Sequence, residues 1–98
     1  MDGLEAGKAA VTRLLVACDT LQHYDDWRAL DARDAALGEL AALGVGYHAL
    51  AWMARISATE ATRIGRRARS PGTNTRRMLT ARLRVIAAGS PLAPPPTD

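Results

Sequence analysis

The sequence predicts an all-α fold of about five helices, and three observations lead to this prediction. Apolar residues fill 48% of the 98 positions, and phenylalanine is absent. Ala and Leu, which favour helices and pack closely, supply most of the apolar bulk. No stretch alternates apolar and polar residues with the period of two that is typical of strands. Because a chain this short builds one core, we expect a single domain over residues 1–89 and a disordered, proline-rich tail over residues 90–98.

The first two helices are predicted from apolar residues at helical spacing. The first helix begins at Leu4 and reaches about residue 22. Asp25 or Asp26 is placed to cap a second helix, which Gly44 ends. The inward positions of this second helix are predicted to be Trp27, Leu30, Leu37, Leu40 and Leu43.

Three shorter helices are predicted in the second half of the chain. A third helix begins at Tyr47, with Leu50, Ala51 and Ala54 inward, and a fourth follows Ser57. The breaker-rich segment SPGTN, residues 70–74, separates the fourth helix from a fifth that Thr73 or Asn74 would cap. The predicted inward row of the fifth helix is Met78, Leu79, Leu83 and Ile86.

Charge is divided unevenly between the two halves of the chain. Residues 1–50 hold four basic and eight acidic side chains, a net charge of −4, whereas residues 51–98 hold nine arginines and two acids, a net charge of +7. The second half is therefore the part that a polyanion would meet.

The segment around Ser57 resembles a known DNA-binding motif. Ser57 and Glu60 form the Ser-x-x-Glu pattern that caps a helix start, so only a few residues separate the third and fourth helices. The sequence YHALAWMARISATEATRI, residues 47–64, is similar to the helix-turn-helix of bacterial and phage regulators, and with the helix before it the resemblance covers roughly residues 33–69. The matching positions are Leu50 and Ala51 in the first helix, Ile56 and Ser57 at the turn, Ala61 facing Ala51, and Ile64 closing the core. Arg55 stands where such turns usually have glycine, a residue that adopts positive φ freely.

The resemblance implies that the helix from Ala58 is a recognition helix that inserts into the major groove of DNA. On this helix Ala61 and Ile64 face inward. The outward positions expected to contact DNA are Ser57, Ala58, Thr59, Thr62, Arg63 and Arg66. Further contacts to phosphate are expected from Tyr47, His48, Arg67, Arg69, Arg76 and Arg77. An ordinary solvent-facing role is the alternative for His48 and for several of these arginines.

No cofactor, metal or catalytic set is predicted. Cys18 is the only cysteine, so neither an internal disulfide nor a zinc module is encoded. The segment HYDD, residues 23–26, lacks a second cluster of metal ligands, and we interpret it as a helix cap and loop. We therefore expect a non-enzymatic protein, and the acidic N-terminus, which does not fit a signal peptide, favours the cytoplasm.

Two partners other than DNA are considered. A homodimer is expected through the apolar row of the first helix, which comprises Leu4, Val11, Leu14, Leu15, Cys18 and Leu21. The alternative is that this row only covers the core of the single domain. The alternative function is a small adaptor that binds another protein through Trp52, Met53 and the same helix.

Overall fold

Five helices make up the fold in a computed structural model that describes residues 3–95. They are α1 (Leu4–His23), α2 (Trp27–Ala42), α3 (Tyr47–Ala54), α4 (Ala58–Ala68) and α5 (Arg77–Ala88). The described residues contain no strand, so the predicted all-α class is confirmed. Residues 1–2 and the last part of the predicted tail, residues 96–98, lie outside the described residues.

The helices enclose one core. Helix α1 packs along α2, α4 packs against α2 and α3, and α5 packs against α1 and α3. The largest fully buried side chains come from four helices and the connection after α2, and they are Val11, Leu14, Leu37, Leu40, Val45, Leu50, Met53 and Leu83. Ala61 and Ile64 of α4 also belong to the core, so every helix borders it.

The starts and ends of α2 agree with the sequence prediction. Asp26 caps α2, because its Oδ1 accepts a hydrogen bond from the Arg28 amide at 2.9 Å. Gly44 follows the helix with φ 97°, a left-handed conformation that glycine adopts without steric cost. The HYDD segment therefore supplies a cap and a loop, as expected.

Helix α5 begins later than predicted and without a side-chain cap. Arg76, rather than Thr73 or Asn74, occupies the capping position. The Arg76 amide donates to the Gly44 carbonyl at 2.7 Å. Thr80 Oγ1 accepts from the Gly46 amide at 3.1 Å and donates to the Arg76 carbonyl at 2.8 Å. Contacts with the α2–α3 connection, distant in sequence, therefore fix the start of α5.

Three predicted inward residues face solvent. Trp27 is 66% exposed, Leu30 42% and Met78 76%. Trp27 and Met78 lie in the first turn of their helices, and Leu30 follows within one turn of Trp27. A helical repeat gives the direction of a side chain but not whether a neighbouring helix reaches that level, so these predictions were wrong.

The described part of the predicted tail packs against the domain. Leu92 contacts the core, Pro94 is buried, and the Ala93 amide donates to the Ser90 carbonyl at 3.1 Å. The described residues 90–95 therefore pack against the helices.

Candidate nucleic-acid interface

The outward surface of α4 is a continuous polar and basic face. Its residues Ala58, Thr59, Thr62, Arg63 and Arg66 line one shallow depression on the protein surface. On the opposite side of the helix, Ala61, Ile64 and Gly65 are buried. The 3.6-residue repeat separates these two sets, and this separation agrees with the inward and outward positions predicted from sequence. We call the surface of Thr59, Thr62, Arg63, Arg66 and Arg67 the outer face of α4.

One of the two hydrogen bonds of the predicted cap at Ser57 is present. Ser57 Oγ accepts a hydrogen bond from the Glu60 amide at 3.1 Å. The Glu60 carboxylate bonds the Arg63 guanidinium instead of returning to Ser57. This hydrogen bond lowers the pKa of Glu60 and raises the pKa of Arg63, so both groups are charged at neutral pH. Glu60 therefore partly neutralises one cation of the outer face.

Arg66 and Arg67 are the least committed cations of α4. Both side chains are exposed, and neither forms a hydrogen bond or ion pair with another residue between 3 and 95. Arg67 acts at longer range, since its charge helps lower the pKa of Glu60. The N–H groups of these two guanidiniums are therefore available to an anion from outside the chain.

Arg55 adopts the conformation expected at the turn position. Its φ of 58° and ψ of 41° are left-handed, and it is the one non-glycine residue with positive φ in the described chain. The helix following it starts three residues later, at Ala58. The chain between α3 and α4 therefore turns at the position where the resembling motifs usually have glycine.

Arg69 and Tyr47 have contacts within the protein. Arg69 Nε donates to the Ala41 carbonyl at 3.0 Å and Nη2 to the Val45 carbonyl at 2.5 Å. Its guanidinium carbon also lies 4.3 Å from the centre of the Tyr47 ring. These contacts satisfy carbonyls at the end of α2, so we reassign Arg69 and Tyr47 from the DNA contact to packing.

Gly65, which the sequence analysis did not single out, provides the space for this packing. A β-carbon at Gly65 would lie 2.5 Å from Tyr47 Cε1 and 3.2 Å from Ala41 Cβ. Glycine at this position lets α4 approach α2 and the Tyr47 ring closely. A glycine inside a predicted helix is the one signal that marked this contact in the sequence.

The remaining predicted phosphate contacts lie near the starts of α3 and α5. His48 and Arg77 are exposed near the first residues of these helices. The Arg76 side chain is exposed, and its stem passes close to Gly44. A β-carbon added to Gly44 would lie 2.7 Å from Arg76 Cγ. The bond from the Arg76 amide to Gly44 brings these two helix starts together beside the α2–α3 connection.

The apolar row of α1 lies in the core of the single domain. Val11, Leu14, Leu15 and Cys18 are at most 5% exposed, and Leu4 and Leu21 are partly buried. Cys18 Sγ donates to the Ala54 carbonyl of α3 at 3.6 Å, and burial raises the pKa of this thiol. These residues therefore pack inside the core of a single chain. The dimer surface that we expected them to form is not exposed in the structure.

The adaptor surface expected at Trp52 and Met53 is also covered. Met53 is 0% exposed. Trp52 is partly buried and its Nε1 donates to the Pro95 carbonyl at 2.9 Å. An adaptor function would need other exposed apolar residues.

No group of three or more His, Cys, Asp or Glu side chains among residues 3–95 could hold a metal ion. None of the helices in this range is both long enough and apolar enough to span a bilayer.

Comparison with known proteins found no match, whether to family models, to curated sequences or to solved structures.

Proposed function

We propose that this protein binds double-stranded DNA sequence-specifically, as a small transcriptional regulator that inserts α4 into the major groove. The observation that carries the proposal is the outer face of α4, which joins two threonines to three exposed arginines. Two of these arginines have no hydrogen-bonding or ion-pair partner within residues 3–95. An α-helix fits the width of the major groove, where base edges present acceptors to such donors.

Each side chain of the outer face has a distinct chemical use. Arg63 and Arg66 are long enough to bond guanine O6 and N7 through two N–H groups, or to bond a phosphate. The Thr62 hydroxyl donates to the Ala58 carbonyl at 2.7 Å, which leaves its methyl group to contact a thymine methyl. Thr59 has no such bond to its own helix within the described residues and offers a hydroxyl.

Contacts to the DNA backbone would come from the flanks of α4. Arg67 extends the outer face, while His48, Arg76 and Arg77 lie at the adjoining starts of α3 and α5. Phosphate contacts fix the orientation of a protein on the duplex without reading sequence. We assign these four residues to that role.

The test is a titration of fluorescently labelled duplex DNA at about 50 and about 200 mM salt, because release of counterions makes DNA binding weaken steeply with salt. Arg63→Ala with Arg66→Ala should weaken binding by roughly 100-fold at the lower salt, since each bidentate contact contributes about 1–3 kcal/mol. Circular dichroism and the melting temperature should stay close to those of the parent, because both side chains are exposed.

A matched control removes two positive charges elsewhere. Lys8→Ala with Arg28→Ala changes exposed side chains on α1 and α2 and leaves α4 intact. If both double variants bind DNA equally, net charge rather than the outer face determines the affinity, and the proposal is wrong.

A protein-binding adaptor is the second candidate, and exposed apolar side chains favour it. Val16 is 51% exposed and lines an open depression between α1 and α2 together with Ala29 and Ala32. Binding through this surface should change little with salt, which separates it from DNA binding in the same titration.

A homodimer remains part of the proposal, through a surface other than the buried row of α1. Light scattering at micromolar concentration measures it, and a mass near 10.5 kDa at every concentration would exclude a stable dimer.

A further inference from the structure

The chain carries a short proline-rich segment on its own surface, residues 93–95, held by side chains of α3 and the following turn. Trp52 Nε1 donates to the Pro95 carbonyl at 2.9 Å, and Arg55 Nη2 donates to the Ala93 carbonyl at 3.1 Å. Pro94, between these two anchors, is buried. The segment is therefore bound through alternate carbonyls and one proline ring.

These residues lie in a groove that is wider than the segment. Besides Pro94 and Pro95, it is lined by Gln22, His48, Ala51, Trp52, Arg55 and Ile56, and we call this the Trp52 groove. The groove remains open to solvent beside the two prolines. The guanidinium carbon of Arg84 in α5 lies 5.2 Å from the centre of the Trp52 ring, within the range of a cation–π contact.

The chemistry of the groove is matched to proline-rich chains in general. Proline has no amide N–H, so its carbonyls are the backbone groups that need partners, and both anchors in the groove are donors. Proline also limits the unbound conformations of a peptide, which lowers the entropic cost of binding. Aromatic-lined grooves with such donors are a recurring means of binding proline-rich peptides.

We propose that the Trp52 groove is a binding site for a proline-rich segment of a partner protein, which displaces residues 93–95 of the same chain. Residues 93–95, which we call the resident segment, are held by two hydrogen bonds and one buried ring. Because the segment belongs to the same chain, its effective concentration at the groove is in the millimolar range. A partner segment that adds contacts in the open part of the groove exchanges with it. The groove lies apart from the outer face of α4 and shares only His48 with the proposed DNA contacts.

The experiment uses the fluorescence of Trp52 in the full chain. Trp27, the other tryptophan, is replaced by Phe, so that the emission comes from Trp52 alone. In this background, Pro94→Gly with Pro95→Gly weakens the resident segment while leaving Leu92 on the core. We expect acrylamide to quench Trp52 about twofold more strongly in the glycine variant, because glycines keep the carbonyls but lose the buried ring and the restricted backbone that hold the segment on the indole.

A synthetic peptide with the sequence SPLAPPPTD is then added. It should bind the glycine variant saturably, restore protection of Trp52, and bind the intact chain at least tenfold more weakly, because the tethered segment competes. A peptide of the same composition with its prolines separated should not bind. Equal quenching of the two proteins, or equal binding of the two peptides, would overturn the proposal.

A second substitution tests the groove in the glycine variant, where the resident segment is already weakened. In that background Arg55→Ala removes the donor that bonds the Ala93 carbonyl and should weaken peptide binding severalfold, with the chain still folded by circular dichroism. Arg82→Ala, which removes an exposed arginine outside the groove, should leave peptide binding unchanged. If the two arginine variants bind the peptide alike, the Arg55 contact is not part of a binding site and the proposal fails.

Discussion

The two sides of α4 use similar residue types for different purposes. On the outer face, Arg66 is exposed and makes no hydrogen bond or ion pair with residues 3–95. Just beyond the inner side, Arg69 bonds two carbonyls at the end of α2 and stacks on Tyr47. The residues lie three positions apart, yet one is available to a ligand and the other holds two helices together.

This difference shows that an arginine-rich run is not evidence for a single interface. What separates the two arginines is the surface that each reaches: solvent for Arg66, and the backbone carbonyls of Ala41 and Val45 for Arg69. Glycine at position 65 makes the second arrangement possible, because it admits the Tyr47 ring against the helix. Close packing thus characterises the inner side of α4. The outer face is characterised by arginine N–H groups, such as those of Arg66, that have no partner within residues 3–95.

The largest effect is expected on the inner side, from Gly65→Ala. The new β-carbon would lie 2.5 Å from Tyr47 Cε1, so the ring or the helix must move, and we expect a loss of about 3 kcal/mol in the free energy of unfolding. Gly38→Ala is the control, because its β-carbon would meet only Ala68 Cβ, at 3.2 Å, and alanine favours a helix by about 1 kcal/mol. Urea denaturation that finds equal losses would show that α4 does not pack closely on Tyr47.

A smaller loss is expected from Arg69→Met. The substitution keeps an apolar stem but leaves the Val45 carbonyl without its donor and the Ala41 carbonyl with the Gly44 amide alone, at a cost of about 2 kcal/mol in unfolding free energy. Arg66→Met, on the outer face, should stay within about 0.5 kcal/mol of the parent. If chemical denaturation ranks the two variants in the opposite order, the division between the sides of α4 is incorrect.

The smallest effect concerns the ion pair on the outer face. Glu60→Gln removes a carboxylate that pairs with Arg63 and would repel DNA, so affinity for duplex DNA should rise roughly threefold, in line with the weak energies of exposed ion pairs. Glu5→Gln breaks the same i,i+3 arrangement with Lys8 on α1 and should leave affinity unchanged. Fluorescence anisotropy with labelled duplex measures both variants.

Local signals in the sequence were sufficient to predict the helices and to predict which residues of α4 face the core and which face outward. Asp26 and Ser57 cap helices through bonds to amides two and three residues away, so the information lies in neighbouring positions. The same holds for Gly44, where the backbone turns to positive φ. The positive φ of Arg55 was expected from the resemblance alone, because arginine does not favour this conformation. The inward and outward positions of α4 follow from the helical repeat alone.

Contacts between distant segments could not be predicted in this way. Arg69 reaches carbonyls 24 and 28 positions earlier in the chain, and Trp52 bonds a carbonyl 43 positions later. The proline-rich composition of the C-terminus indicated an extended, free tail, whereas the packing of residues 93–95 depends on where α3 presents Trp52. The start of α5 was misplaced for the same reason, since Gly44 and Gly46 determine it.

The most direct test of the DNA-binding claim is a ¹⁵N NMR titration of the full chain with duplex DNA at low salt. If the outer face of α4 enters the major groove, the amides of Thr59, Thr62, Arg63 and Arg66 should shift most. Amides of Thr12 and Val16, on the exposed side of α1, should stay in place. Shifts confined to α1 or α2, with α4 unchanged, would contradict the account.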